Sequence, residues 1–133
     1  MAYNRNSLWF HLYVAYIKMI IENAFPGLNI EEAFSKSTDG EGCPIARAYL
    51  SEAFMGILAS VGFESEFVGG YLSLHELKCL QEYGASALGD LRLAEEHKEF
   101  LRNLVTDENG YPTYKGKHAG IGGVYRLYKR SIV

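Results

Sequence analysis

Ser51–Tyr71 reads SEAFMGILASVGFESEFVGGY, and this stretch decides the class of fold. Ser51 is a good helix N-cap, apolar residues recur at Ala53, Phe54, Ile57, Leu58 and Val61, and Gly62 stands where a left-handed C-cap belongs. From Phe63 the period drops to two, with Phe63, Ser65, Phe67, Gly69 and Tyr71 alternating against Glu64, Glu66 and Val68. Helix, glycine, strand is an αβ unit, and the chain around it reads as helix-rich α/β.

Upstream, Ser7 to Phe25 reads as a helix stopped by Pro26-Gly27. His11, Lys18 and Glu22, spaced by seven and four, fall on one narrow stripe, and almost all the remaining circumference is apolar. Such a helix must be covered nearly all round, which is hard for a small domain, so the reading predicts a partner surface or a missing part of the fold. Its two cationic groups at most make a membrane-surface helix a poor rival. Asn29 caps a short helix from Ile30 to about Lys36, and Ser37 to Pro44 is a loop by composition.

Downstream, Ser73-Leu74-His75-Glu76 is a capping box opening a helix to about Tyr83, closed by Gly84. Asp90 caps another helix to about Val105, with a stripe at Leu93, His97, Phe100, Leu101 and Leu104. Asp107-Glu108-Asn109-Gly110 is a turn, and Val124 to Lys129 is a final strand.

With 133 residues, 48% of them hydrophobic, this is one domain's worth of chain and too apolar for disorder. No stretch approaches the roughly 18 consecutive apolar residues of a membrane span, and Met1 leads into no cleavage-signal pattern. The expectation is a soluble, cytoplasmic protein with reduced thiols at Cys43 and Cys79, which have no CxxC spacing. The net charge of −3 hides an asymmetry: residues 1–110 hold eight Lys/Arg and all sixteen Asp/Glu, and residues 111–133 hold five bases and no acid. Lys115, Lys117, Arg126, Lys129 and Arg130 interleave with four tyrosines, a composition that could serve phosphate or single-stranded nucleic acid. A strand with its bases on the wet side, complementing the acidic body, is the favoured reading, because nucleic-acid domains carry net basic charge.

His75 and Cys79 stand at i and i+4 on one helical face, the spacing of a two-ligand metal clamp. No third ligand is evident, and Cys79 reads as a buried structural cysteine, as His97 reads as a core histidine. GKHAGIGG (116–123) fails as a triphosphate loop: the spacing from Gly110 to Gly116 is wrong, His118 replaces the Ser/Thr, and a strand comes next instead of a helix. It remains a flexible, cationic, backbone-exposing loop. Asn4-Arg5-Asn6-Ser7, just before a helix, suits an anionic or polar ligand, or else merely caps that helix.

Ser51–Tyr71 resembles the late helix-to-strand unit of class I S-adenosylmethionine-dependent methyltransferases, where a helix ends in an Ala-Gly-Phe turn and leads into the sixth strand. Here the turn is Val61-Gly62-Phe63. Met1–Leu8 resembles the segment after the fifth strand in a subset of bacterial members, and Cys43-Pro44-Ile45-Ala46-Arg47 with Tyr49 resembles the entry to the late helix. Val124–Tyr128 would be the seventh strand, antiparallel to the sixth. The resemblance covers nearly the whole chain and implies a partial Rossmann-like fold: a single domain over 1–133, with 73–123 as a helical insert or cap.

The family's glycine-rich loop, ribose-binding acid and methyl-facing residues have no counterpart here, since the first strand through most of the fifth is absent. The resemblance therefore implies S-adenosylmethionine for the intact enzyme and none for this chain alone. It also implies a small-molecule methyl acceptor, and a second copy or a complementary N-terminal half as partner. Asn4, Arg5 and Ser7 would line the cleft mouth at the end of the fifth strand, with His11, Arg47, Lys117 and His118 as further substrate contacts. No residue presents itself as general base. The rival readings are a non-catalytic domain dimerising through the 7–25 helix, and a phosphate- or RNA-binding module using the basic tail.

Overall fold

The computed structural model describes residues 2–39 and 46–129. In chain order the elements are β1 (Tyr3–Asn4), a π-helix (Trp9–Ile21), α1 (Ile30–Asp39), β2 (Ala48–Tyr49), α2 (Ser51–Ser60) and β3 (Phe63–Tyr71). After them come α3 (Leu74–Gly89), α4 (Glu95–Arg102), β4 (Val105–Thr106), β5 (Pro112–Tyr114), β6 (Lys117–His118) and β7 (Gly122–Lys129). The fold is mixed α/β.

The αβ unit forms as its sequence directs. Gly62 takes a φ of +96°, a conformation that only glycine adopts without strain, and its N–H closes the helix on Ala59 O. β3 then pairs antiparallel with β7 from Phe63↔Lys129 to Tyr71↔Gly122, with a bulge between Phe67 and Gly69. Phe54 of α2 and Phe67 of β3 both pack on Tyr125 of β7, at 4.9 and 5.2 Å between ring centroids, so one aromatic trio joins the helix to both strands. The other edge of β7 takes β1 antiparallel, and β1 takes β2 parallel, giving the order β2-β1-β7-β3. β1 and β3 therefore run the same way with β7 reversed between them. A second, antiparallel sheet has the order β4-β5-β6.

The first helix departs from expectation in winding, length and cover. It ends at Ile21 rather than Phe25, and its hydrogen bonds skip five residues, as from Glu22 N–H to Ile17 O at 2.8 Å. The wider turn splits the polar stripe read at α-helical spacing: His11 is buried, while Lys18 and Glu22 pair at the surface at 2.9 Å. Nor does the helix need cover from outside. Leu12, Ala15, Tyr16 and Ile17 pack with Cys79, Ala87, Leu93, Phe100 and Leu101 from the α3–α4 side, and Phe10 and Val14 pack with Ala33 and Phe34 of α1. Each Leu, Ile, Val or Phe among them, fully buried, contributes about 1.5–3 kcal/mol relative to exposure. The dimerisation surface expected on this helix is the molecule's own core.

Other boundaries shift for local reasons. α3 runs through Gly84, whose missing Cβ accommodates Leu80, so that glycine serves packing rather than termination. Asp90 closes α3 instead of opening α4: it accepts from Arg92 N–H and its guanidinium and from Tyr16 Oη, and α4 starts at Glu95. Leu50, not Ser51, occupies the N-cap position of α2. α1 continues to Asp39, and the rest of the expected 37–44 loop, with Cys43 and Pro44, lies outside the described residues, as does Arg130. The 73–123 segment, expected to be helical, carries the β4-β5-β6 sheet as well as α3 and α4. Among the described residues no helix is long and apolar enough to cross a membrane.

Candidate functional site

The N-terminal end of the π-helix is the junction on which the site is built. Glu76, fully buried, completes the capping box with Ser73: Oε1 accepts from Ser73 N–H at 3.1 Å and Ser73 Oγ accepts from Glu76 N–H at 3.2 Å. The same carboxylate accepts from Trp9 N–H at 3.0 Å and from Ile121 N–H at 3.3 Å. It thereby ties α3, the π-helix and the approach to β7 together. Burial raises its pKa while these donors, Ser73 first, oppose the rise. The chain's own carboxylate thus already occupies the helix end that the sequence offers to an anion.

Two of the residues expected at the cleft mouth belong to this framework. Ser7 is fully buried and its Oγ accepts from Phe10 N–H at 3.2 Å, so it caps the helix. That is the capping alternative open for this segment in the sequence. Asn4 is also buried: Nδ2 donates to Asn6 O and Gly120 O at 2.9 and 3.1 Å, and Oδ1 accepts from Asn6 N–H. The loop Gly116–Gly123, expected to be flexible, is buried at Ala119 and Gly120, the latter donating to Gly70 O.

Three cavities surround this framework. The first, about 530 Å³, lies just beyond the C-terminal ends of β1 and β2, between Arg5, His11, Tyr49, Glu96, Phe100 and Tyr114. A second, about 460 Å³, shares Arg5 and Tyr49 with it and adds Arg47 and Phe34. A third, about 480 Å³, holds Asn4, Lys117 and His118 and shares Asn6 and Tyr114 with the first. The structure therefore separates the seven expected residues: Arg5 and His11 share one cavity, Arg5 and Arg47 the next, and Asn4, Lys117 and His118 the third. Ser7 lines none of these three.

Electrostatically the first cavity is not cationic. The Arg5 guanidinium lies 3.1 Å from Glu31 and 3.2 Å from Glu96, and over the Phe10 ring at 4.6 Å. His11 is stacked on Phe100 at 4.3 Å and its Nδ1 lies 2.9 Å from Nδ1 of His97, so one ring donates and the other accepts. Burial, then the facing His97, then Arg5 hold His11 down at about 3, and burial lowers His97 too. His97 is the core histidine its stripe position predicts, and its partner is the other buried histidine. His118, exposed, pairs with Asp107 at 2.9 Å and thereby lowers the Asp107 pKa. Tyr49, Tyr114, Glu96 and Glu99 are lining residues that sequence reasoning does not offer as ligand contacts. Glu96 and Glu99 flank His97 on α4, and that spacing is the available signal.

On α3, Cys79 Sγ lies 3.6 Å from His75 Nε2, the thiol pushed up to about 11 by burial and by Glu82 and Glu76. Among the described residues no three His, Cys, Asp or Glu side chains cluster to hold a metal. Arg126 of β7 pairs across the ladder with Glu66 at 3.4 Å. Comparison of the chain with protein-family models, with curated proteins and with solved structures gave no match.

Proposed function

We propose that this chain is the C-terminal, substrate-side portion of a class I S-adenosylmethionine-dependent methyltransferase fold, with a small molecule as methyl acceptor. The observation that carries the reading is the sheet. β7 pairs antiparallel with β3, as the resemblance implies for the seventh and sixth strands, and its other edge takes β1, the segment that leads into Asn4-Arg5-Asn6-Ser7. The placing of a cavity beyond the C-terminal ends of two parallel strands, β1 and β2, agrees with where open α/β sheets bind ligands.

The residues that hold the cofactor in such enzymes have no counterpart in this sequence, so no step of the reaction is derived through it. What these residues supply is a cavity in a fixed position beyond two strand ends, the contribution expected where catalysis works by orientation. β2 ends the four-stranded sheet, and its outer edge is where an N-terminal half could add strands. The test is calorimetric titration of S-adenosylmethionine into this chain alone, and into the chain joined to the segment encoded upstream of Met1. The expected result is no saturable heat for the first and saturable heat for the second. An upstream frame without a glycine-rich strand-loop-helix, or a joined protein that fails to bind, would overturn the reading.

A further inference from the structure

The 530 Å³ cavity is of the size that takes a small organic molecule, and its walls favour one kind of head group. Tyr49, Phe100 and Tyr114 supply aromatic surface, and Glu96 and Glu99 stand at its α4 side. Among the described residues Arg5 is the single Lys or Arg lining it, and that charge is matched by both Glu31 and Glu96. Glu99 has no cationic partner among the described residues. His11, which also lines the cavity, is only 4% exposed; its Nδ1 is engaged by His97, and its Nε2 has no hydrogen-bond partner among the described residues. With His11 Nδ1 donating to His97, that Nε2 is an acceptor open to a donor from whatever fills the cavity.

We propose that this cavity binds a small organic amine, its ammonium facing Glu99 and His11 and its apolar or aromatic body lying against Tyr49, Phe100 and Tyr114. The Glu99 carboxylate attracts the ammonium by charge, and the aromatic walls offer apolar surface to the body of the ligand. A carboxylate or phosphate ligand meets the opposite conditions: Arg5 is already matched, Glu96 and Glu99 repel it, and Glu76 fills the helix N-terminus. As the class of methyl acceptor, the amine rests on the methyltransferase reading above; as a binding site it stands without it.

Phenethylamine, phenylacetate and ethylbenzene share a ring and differ in head charge, and each can be titrated into the 133-residue chain without any cofactor. Side-chain NMR shifts at His11 and Tyr114, with calorimetry, should show saturable phenethylamine binding, about tenfold or more tighter than phenylacetate, a difference of about 1.4 kcal/mol. Glu99→Gln, on the exposed face of α4, should weaken the amine about threefold or more and leave ethylbenzene unchanged. Phenylacetate binding as tightly as the amine, no binding of phenethylamine, or an indifferent Glu99→Gln would each overturn the proposal. Amine binding by a chain whose joined form ignores S-adenosylmethionine would keep the site and remove the methyltransferase reading. The converse result would remove the site alone.

Discussion

The two buried histidines give the molecule a pH dependence whose sign is set by their surroundings. Unfolded, each titrates near the ordinary value of about 6.5; folded, His11 is held at about 3, and His97 is lowered in the same direction. Between those values the unfolded chain binds more protons, so stability is whole above about pH 6.5 and is lost as the pH falls. From His11 alone the loss at pH 5 is about 2 kcal/mol. Urea unfolding at pH 7 and pH 5 should show that fall, and the double variant His11→Phe/His97→Leu should flatten it. Glu76 works with the opposite sign, its burial-raised pKa favouring the acid side and opposing part of the histidine effect. The sequence places His97 on a buried stripe through its spacing with Phe100 and Leu101. It misplaces His11, because the stripe containing Lys18 and Glu22 exists only for an α-helical turn. It shows the capping box at Ser73 and Glu76, which lie three residues apart, but not the bonds from that carboxylate to Trp9 and Ile121, 67 and 45 residues away.

Elements meet most closely where β3 ends beside the loop that leads into β7. Gly120 donates to Gly70 O at 3.2 Å, and a Cβ on Gly120 would collide with Tyr71 O and press on Leu72 N at 2.5 Å. A Cβ on Gly70 would run into Gly120 O and meet Asn4 Nδ2 at 2.7 Å. These are backbone atoms and a buried, fully bonded amide, none of which can move aside cheaply. Gly120→Ala should therefore cost about 2 kcal/mol or more. Gly89→Ala, at the end of α3 with nothing within 4 Å of its Cβ, should be neutral or stabilise by up to about 1 kcal/mol. Thermal unfolding of the two variants checks both. A run of four glycines around a lysine and a histidine reads as a loose loop by composition. Only the tertiary structure shows that two of those glycines, Gly120 beside β3 and Gly123 with its Cβ position 2.5 Å from Ala2 O, are there for close packing.

At the scale of the whole molecule, the π-helix belongs to two cores at once. Leu12 and Tyr16 face the α3–α4 cluster and Phe10 and Val14 the α1 cluster, so neither cluster persists when the helix leaves. The chain should unfold in a single cooperative step. Trp9 fluorescence, which reports the ring bonded to Thr38 of α1, and near-ultraviolet dichroism of the tyrosines should give coincident urea transitions. The amino-acid sequence by itself determined the αβ unit, the left-handed Gly62, the capping box and the mixed α/β class. Each of these is written within a few residues, where local propensity and periodicity decide the outcome. Tertiary structure alone decided the winding and burial of the first helix, the pairing of β7 with β1, and the grouping of Arg5, His11, Tyr49 and Glu99 around one cavity. Those features depend on contacts between segments dozens of residues apart, whose energies come from packing and shared hydrogen bonds that no local pattern encodes.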